Sequence, residues 1–149
     1  MTASSVQAAT RILAFQQPPM VGPVIAAIVY QPGDARSEAE ALTIERALAN
    51  APAGGATLKS RRVPANALGG LAGARVAFVT MGSNYRAVAA IAAPRSILTI
   101  SADPACARAG LCVVSINSGP KVEILVSKAA TQASKLKFGS AFLMLVKEI

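Results

Sequence analysis

Between Val24 and Leu48 a strand, a turn and a helix start follow one another directly, and this run narrows the fold more than any other feature. Residues 24–30 are an apolar, branched run of strand length without polar alternation, the pattern of a strand buried on both faces. Gln31-Pro32-Gly33-Asp34 has the turn chemistry to end it. Ser37 and Glu40 then match the S-x-x-E capping box. From there Ala41, Leu42, Ile44 and Leu48 carry an apolar stripe toward Asn50, before Pro52 and Gly54-Gly55 break it. Strand, turn and capped helix in that order start a βαβ unit.

The same grammar recurs downstream. Residues 57–63 alternate enough for a more exposed strand, and the small-residue segment 64–73 leads into residues 74–81, where Val76-Ala77-Phe78-Val79 is a second buried-strand signature. Gly82-Ser83-Asn84 offers an N-cap for a short alanine-rich helix over residues 85–93, and residues 96–101 form the third core strand. The pattern then changes to a hairpin, residues 111–116 and 121–126 around Asn117-Ser118-Gly119-Pro120, whose strands are expected to be antiparallel. Helical periodicity opens the chain over residues 4–15, through Val6, Ala9, Thr10, Leu13 and Ala14, until Gln16-Gln17-Pro18-Pro19 stops it. A helical segment is expected over residues 127–134, followed by a last helix with Phe138, Phe142, Leu145, Val146 and Ile149 on one face. The reading is therefore α/β: a single domain over residues 1–149, with a mostly parallel sheet flanked by helices and a C-terminal antiparallel hairpin. Residues 1–3 are expected to be disordered.

At 149 residues one core suffices. Alanine supplies 32 residues and Trp none, so that core is built from Val, Ile and Leu with small spacers, a diet suited to helices packed on a sheet. Residues 24–30 fall far short of the roughly 20 apolar residues a membrane-spanning helix needs, which argues against membrane insertion. Met1-Thr2-Ala3-Ser4-Ser5 lacks the basic start and apolar run of a signal peptide. Composition thus leaves open a cytosolic protein or an exported one whose signal is gone. Fifteen Lys and Arg against seven Asp and Glu give +8, a bias toward anionic surfaces. Only Lys59-Ser60-Arg61-Arg62 and Lys135-Leu136-Lys137 concentrate that charge, and both read as strand or strand-end segments with solvated heads, not as a nucleic-acid site.

The absence of His removes Ser-His-Asp and Cys-His triads, His-based acid–base chemistry and ordinary zinc sites, so no catalytic residue, metal or cofactor is expected. Glu38, Glu40 and Glu45 read as capping and solvating groups. Gly69-Gly70-Leu71-Ala72-Gly73 precedes a strand and not a helix, which makes it a turn and not a phosphate loop. If the buried strands are parallel, the segments 31–34, 81–84 and 101–103 emerge together at their carboxyl ends, where open α/β sheets bind ligands. Asp34, Gly82, Ser83, Asn84 and Asp103 are accordingly the candidate ligand-binding residues.

Cys106 and Cys112 enclose Ala-Arg-Ala-Gly-Leu, a flexible stretch in which Gly110 permits a return sharp enough to bring the two within disulfide reach. Two buried, reduced thiols fit the same residues in a cytosolic protein.

Residues 96–103, Ser-Ile-Leu-Thr-Ile-Ser-Ala-Asp, the Cys-flanked loop, the hairpin of residues 111–126, Ala129-Ala130 and the closing apolar helix together resemble the YfiR family. The N-terminal order of helix, prolines, strand and capped helix agrees. The resemblance implies a periplasmic, mostly parallel α/β domain, dimeric, that represses an inner-membrane diguanylate cyclase by binding its periplasmic region and so lowers cyclic-di-GMP signalling, biofilm and exopolysaccharide output. It also implies a disulfide in this region, which Cys106 and Cys112 match. The chain departs from the family in having Ala109-Gly110 and Val126-Ser127 at positions where members often carry Gly-Gly and Asn, and in lacking a second, N-terminal Cys pair. A regulatory binding protein whose partner is a cyclase or related sensor is the leading expectation, and it predicts an exposed apolar patch bordered by Lys or Arg near the terminal helices. The alternative is a periplasmic small-ligand binding protein using the strand-end edge.

Overall fold

The computed structural model describes residues 1–49 and 51–149, with the side chain of Ser118 also outside the description. Among these residues six α-helices and seven strands run in the order α1 (Ala3–Ile12), β1 (Gly22–Tyr30), α2 (Ala35–Leu48), β2 (Ala56–Pro64), β3 (Ala74–Val79), α3 (Tyr85–Ala92), β4 (Leu98–Ser101), α4 (Pro104–Arg108), β5 (Val114–Ser118), β6 (Val122–Val126), α5 (Lys128–Ala133), α6 (Ser140–Leu143) and β7 (Lys147–Glu148). One seven-stranded sheet has the order β2-β1-β3-β4-β5-β6-β7, parallel throughout except for the β5–β6 hairpin. The expected α/β class, parallel core and antiparallel hairpin are all present.

The three central strands are buried on both faces, as their unbroken apolar runs require. Along β1, Ala26 and Ile28 join the cluster under α1 and α2, whereas Ala27 and Val29 join the one under α3. Val76 and Phe78 against Ala77 and Val79 repeat the alternation on β3. Val6, Ile12, Ala41 and Ile44 close the first face, while Leu71, Val88 and Ala92 close the second. Alanine at Ala26, Ala27 and Ala77 lets helices sit close to the sheet without a void.

Three local expectations change. Ser37 and Glu40 do not form a capping box: α2 begins two residues before Ser37, and Asp34 is its N-cap, accepting from Arg36 N at 3.0 Å and Ser37 N at 3.1 Å. Asn50, where the stripe was expected to end, lies outside the described residues. The stretch after β4 is not a flexible loop; Asp103 caps α4, with Pro104 at its first position. The closing apolar helix is reduced to the single turn of α6, and residues 147–148 pair with β6 instead. Ile149 N donates to Val126 O at 2.9 Å and Lys128 N to Ile149 O at 3.0 Å, so the free edge of β6 satisfies backbone groups that a helix past Gly139 would otherwise have to pair. At the start of the chain the Thr2 side chain caps α1 through Ser5 N at 3.1 Å, and the Met1 amino nitrogen lies 3.0 Å from Glu40 Oε2.

Candidate functional site

β1, β3 and β4 are adjacent and parallel, so the loops that leave them meet on one edge. At its centre is Thr80, fully buried. Its hydroxyl donates to Val29 O at 2.9 Å, while Ser37 Oγ lies 2.7 Å and Ser83 Oγ 3.1 Å from the same oxygen. A hydroxyl has one proton and two lone pairs, so with its proton on Val29 O, Thr80 accepts from both serines. Ser37 Oγ in turn accepts from Gln31 N at 2.7 Å. One oxygen thus ties together the loops after β1 and β3.

The candidate residues named from sequence all lie along this edge, and each has an intramolecular task. Asp34, Asn84 and Asp103 are the N-caps of α2, α3 and α4. Ser83 is buried in the hydroxyl cluster. Gly82 has φ +90°, and a Cβ there would fall 2.9 Å from Asp34 Oδ2, so backbone and carboxylate touch only because the residue is glycine. Glu40, read from sequence as a solvated capping group, accepts from Met81 N at 2.9 Å across the edge. Tyr85 donates to Asp103 Oδ2 at 3.0 Å; burial first, then this bond and the carboxylate charge, push its phenol up to about 12.

Next to this edge, β4, α4 and β5 form a crossover closed by the Cys106–Cys112 disulfide, with Cα atoms 5.2 Å apart and both side chains buried. Leu111 N and Cys112 N both donate to Cys106 O, and Gly110 at φ +72° makes the return possible. Val113 N reaches Thr99 Oγ1 at 2.9 Å, which fastens the start of β5 to β4.

A second feature lies where the chain ends meet. An antiparallel bridge pairs Gln16 with Phe138, while Gln17 N donates to Lys137 O and Gly139 N to Phe15 O, both at 2.8 Å. Phe15 stacks on Phe142 with ring centroids 5.3 Å apart, and Phe142 leans on Phe138 at 5.2 Å. Between α1 and the segment after α6 this leaves a groove of about 180 Å³, lined by Ile12, Phe15, Phe142, Leu145 and Val146, with Arg11 contributing charge. Phe15 is 39%, Leu145 78% and Met144 85% exposed, so large apolar side chains face solvent at and beside the groove. Sequence reading placed an apolar patch near the terminal helices and put Leu145 on one helical face with Phe142; past the end of α6 Leu145 is exposed while Phe142 is buried. The two basic concentrations are also more engaged than expected: Arg62 pairs with Glu45 at 3.2 Å and Arg61 donates to Gly70 O and Ala72 O, while Lys135 occupies a left-handed turn after α5.

Among the described residues no helix is long and apolar enough to cross a membrane, and no three His, Cys, Asp or Glu side chains are grouped to hold a metal ion. Fold and sites together define a parallel-sheet α/β domain with a disulfide-closed crossover and an apolar terminal groove. The chain belongs to the YfiR/HmsC-like family, whose sequence profile matches residues 30–147; this is a regulatory, non-catalytic family. No curated protein matches the sequence. Among solved structures, a conserved domain protein from Vibrio cholerae O1 biovar El Tor superposes with a TM-score of 0.74 at 12% identity, covering 98% of this chain and 59% of that one. The ligand-free, open structure of CD0873, a substrate-binding protein with adhesive properties from Clostridium difficile, superposes with a TM-score of 0.70 at 15% identity, covering 100% and 60%. At such identities the likeness is one of fold alone, and the chain spans about three-fifths of each structure.

Proposed function

We propose that this protein is a periplasmic regulatory binding protein that represses an inner-membrane diguanylate cyclase, or a related sensor, by associating with its periplasmic region. Cyclic-di-GMP signalling, and with it biofilm output, falls while the complex holds. Membership of the YfiR/HmsC-like family over residues 30–147 is the observation that carries this reading. The buried Cys106–Cys112 disulfide supports it, because such bonds persist in oxidising compartments. The terminal groove is the docking surface in this proposal: Phe15 and Leu145 supply apolar anchors, Arg11 and the +8 net charge favour an acidic partner, and homodimerisation is assigned to the remaining surface.

Deleting the gene should raise cellular cyclic-di-GMP, and the tagged protein should co-purify with a membrane cyclase. A Met144→Asp/Leu145→Asp variant should keep its melting temperature and lose the complex. Unchanged cyclic-di-GMP on deletion would sink the proposal, and retained binding by the double variant would move the docking surface elsewhere.

The second reading, a small-ligand binder at the strand-end edge, is supported by the convergence of Asp34, Gly82, Ser83, Asn84 and Asp103 on adjacent loops. A ligand at 100 times its dissociation constant would stabilise the fold by about 2.7 kcal/mol, so a thermal-shift screen with Asn84→Ala as control discriminates the two.

A further inference from the structure

A further cavity shares no lining residue with the terminal groove and none with the strand-end edge. It measures about 360 Å³, within the range of roughly 300–1,000 Å³ typical of small-molecule sites. Two local events create it. Lys135, at φ 55°, reverses the chain after α5, and Leu136 N then donates to Thr131 O at 3.1 Å. On the other side, β7 adds to β6 and carries Glu148 to the cavity wall.

Its lining has two characters. Val126, Leu136, Phe138 and Leu143 give an apolar surface, the first three of them buried and therefore held in place by the core. Lys128, Lys137 and Glu148 give charge. Among the described residues the salt bridges are Met1 with Glu40 and Arg62 with Glu45, so neither lysine of the cavity is neutralised by a partner. Among the lining side chains, two ammonium groups stand against one carboxylate. Such a site favours one negative charge attached to an apolar body: the body displaces water from the Phe138 and Leu143 surface, and the anion takes charge-assisted hydrogen bonds from the lysines.

We propose that this cavity is a binding site for a small amphipathic monoanion, a carboxylate on an apolar body, with Lys128 and Lys137 holding the carboxylate and Leu136, Phe138 and Leu143 the body. The site uses no residue of the strand-end edge and does not depend on the cyclase reading.

Titration calorimetry with octanoate, below its micellar range, tests it against octan-1-ol, which lacks the charge, and inorganic phosphate, which lacks the apolar body. Octanoate should bind saturably with one site per chain, with the other two at least about tenfold weaker. Lys128→Ala/Lys137→Ala should weaken octanoate by about tenfold or more, and Lys128→Arg/Lys137→Arg should restore most of the affinity. Glu148→Gln should tighten binding several-fold by removing a like charge, an outcome that a merely structural role for these exposed residues would not produce. The proposal is overturned if octanoate shows no saturable binding at millimolar concentration. It is equally overturned if octan-1-ol binds as tightly, or if the alanine pair leaves the affinity unchanged while retaining the parent melting curve.

Discussion

Replacing Thr80 by Val keeps the shape of the side chain and removes one oxygen, so it isolates the hydroxyl cluster that ties the loops after β1 and β3. Three hydrogen bonds end on that oxygen, to Val29 O, Ser37 Oγ and Ser83 Oγ, all in a buried setting. At about 1 kcal/mol net per bond, Thr80→Val should cost about 3 kcal/mol. Val29 O keeps a partner, since Thr80 N also donates to it at 3.1 Å, and the near-isosteric Val leaves no cavity. The loss is thus the bond to Val29 O together with the two stranded donors, Ser37 and Ser83. Ser83→Ala alone should cost about 1 kcal/mol, and the double variant about 3 instead of about 4, because the Ser83 bond is already gone in Thr80→Val. For a domain of this size the Thr80→Val loss corresponds to a melting temperature lower by about 6–12 °C. Urea unfolding of the four proteins, with the m-value checked for constancy, gives the coupling directly. Additivity within about 0.3 kcal/mol, or a Thr80→Val cost under about 0.5 kcal/mol, would refute the assignment of these bonds to Thr80.

Reducing the disulfide, or replacing both Cys106 and Cys112 by Ala, should cost about 2 kcal/mol, the chain-entropy value for so short a loop; two free thiols in the non-reduced protein by mass spectrometry would remove the bridge altogether. Tyr85 has its folded pKa raised from 10.0 to about 12, so its protonated form is the one the fold favours. Stability contributed this way is complete below pH 10 and declines from there toward pH 12, and Tyr85→Phe should flatten that decline in melts taken across the range. Gly82→Ala forces a Cβ to 2.9 Å from Asp34 Oδ2 at φ +90°, and a loss of about 1–3 kcal/mol is expected by urea titration; a neutral result would mean that the loop after β3 yields freely.

Much of the fold was legible because its determinants are local or periodic. The unbroken run before Tyr30, the Val76–Val79 run and the run ending at Ser101 demanded strands covered on both sides, and turn and cap residues between them demanded crossovers. Asp103-Pro104 carried a readable helix start as well, an N-cap followed by Pro at the first position, but α4 is too short for its apolar spacing to register. Ser37 and Glu40 misled for a different reason: a capping box competes with whatever tertiary partner comes near, and here Thr80 and Met81, far along the chain, bring hydroxyl and amide groups that take both side chains.

The candidate sites divide the same way. That Asp34, Asn84 and Asp103 would stand at strand ends followed from the order of elements alone, whereas their occupation as helix caps and the Ser37–Thr80–Ser83 cluster appear only once three parallel strands lie side by side. The sequence by itself determined the class, the parallel core and the place of the hairpin, since period and turn chemistry act over a few residues. Only the tertiary structure decided that the chain ends meet, that Leu145 faces outward and that a cavity opens between α5 and β7. The first rests on the bridge of Gln16 with Phe138, and the other two turn on the unpaired edge of β6, which captures the last residues as a strand and so withholds them from the helix that their apolar spacing suggests.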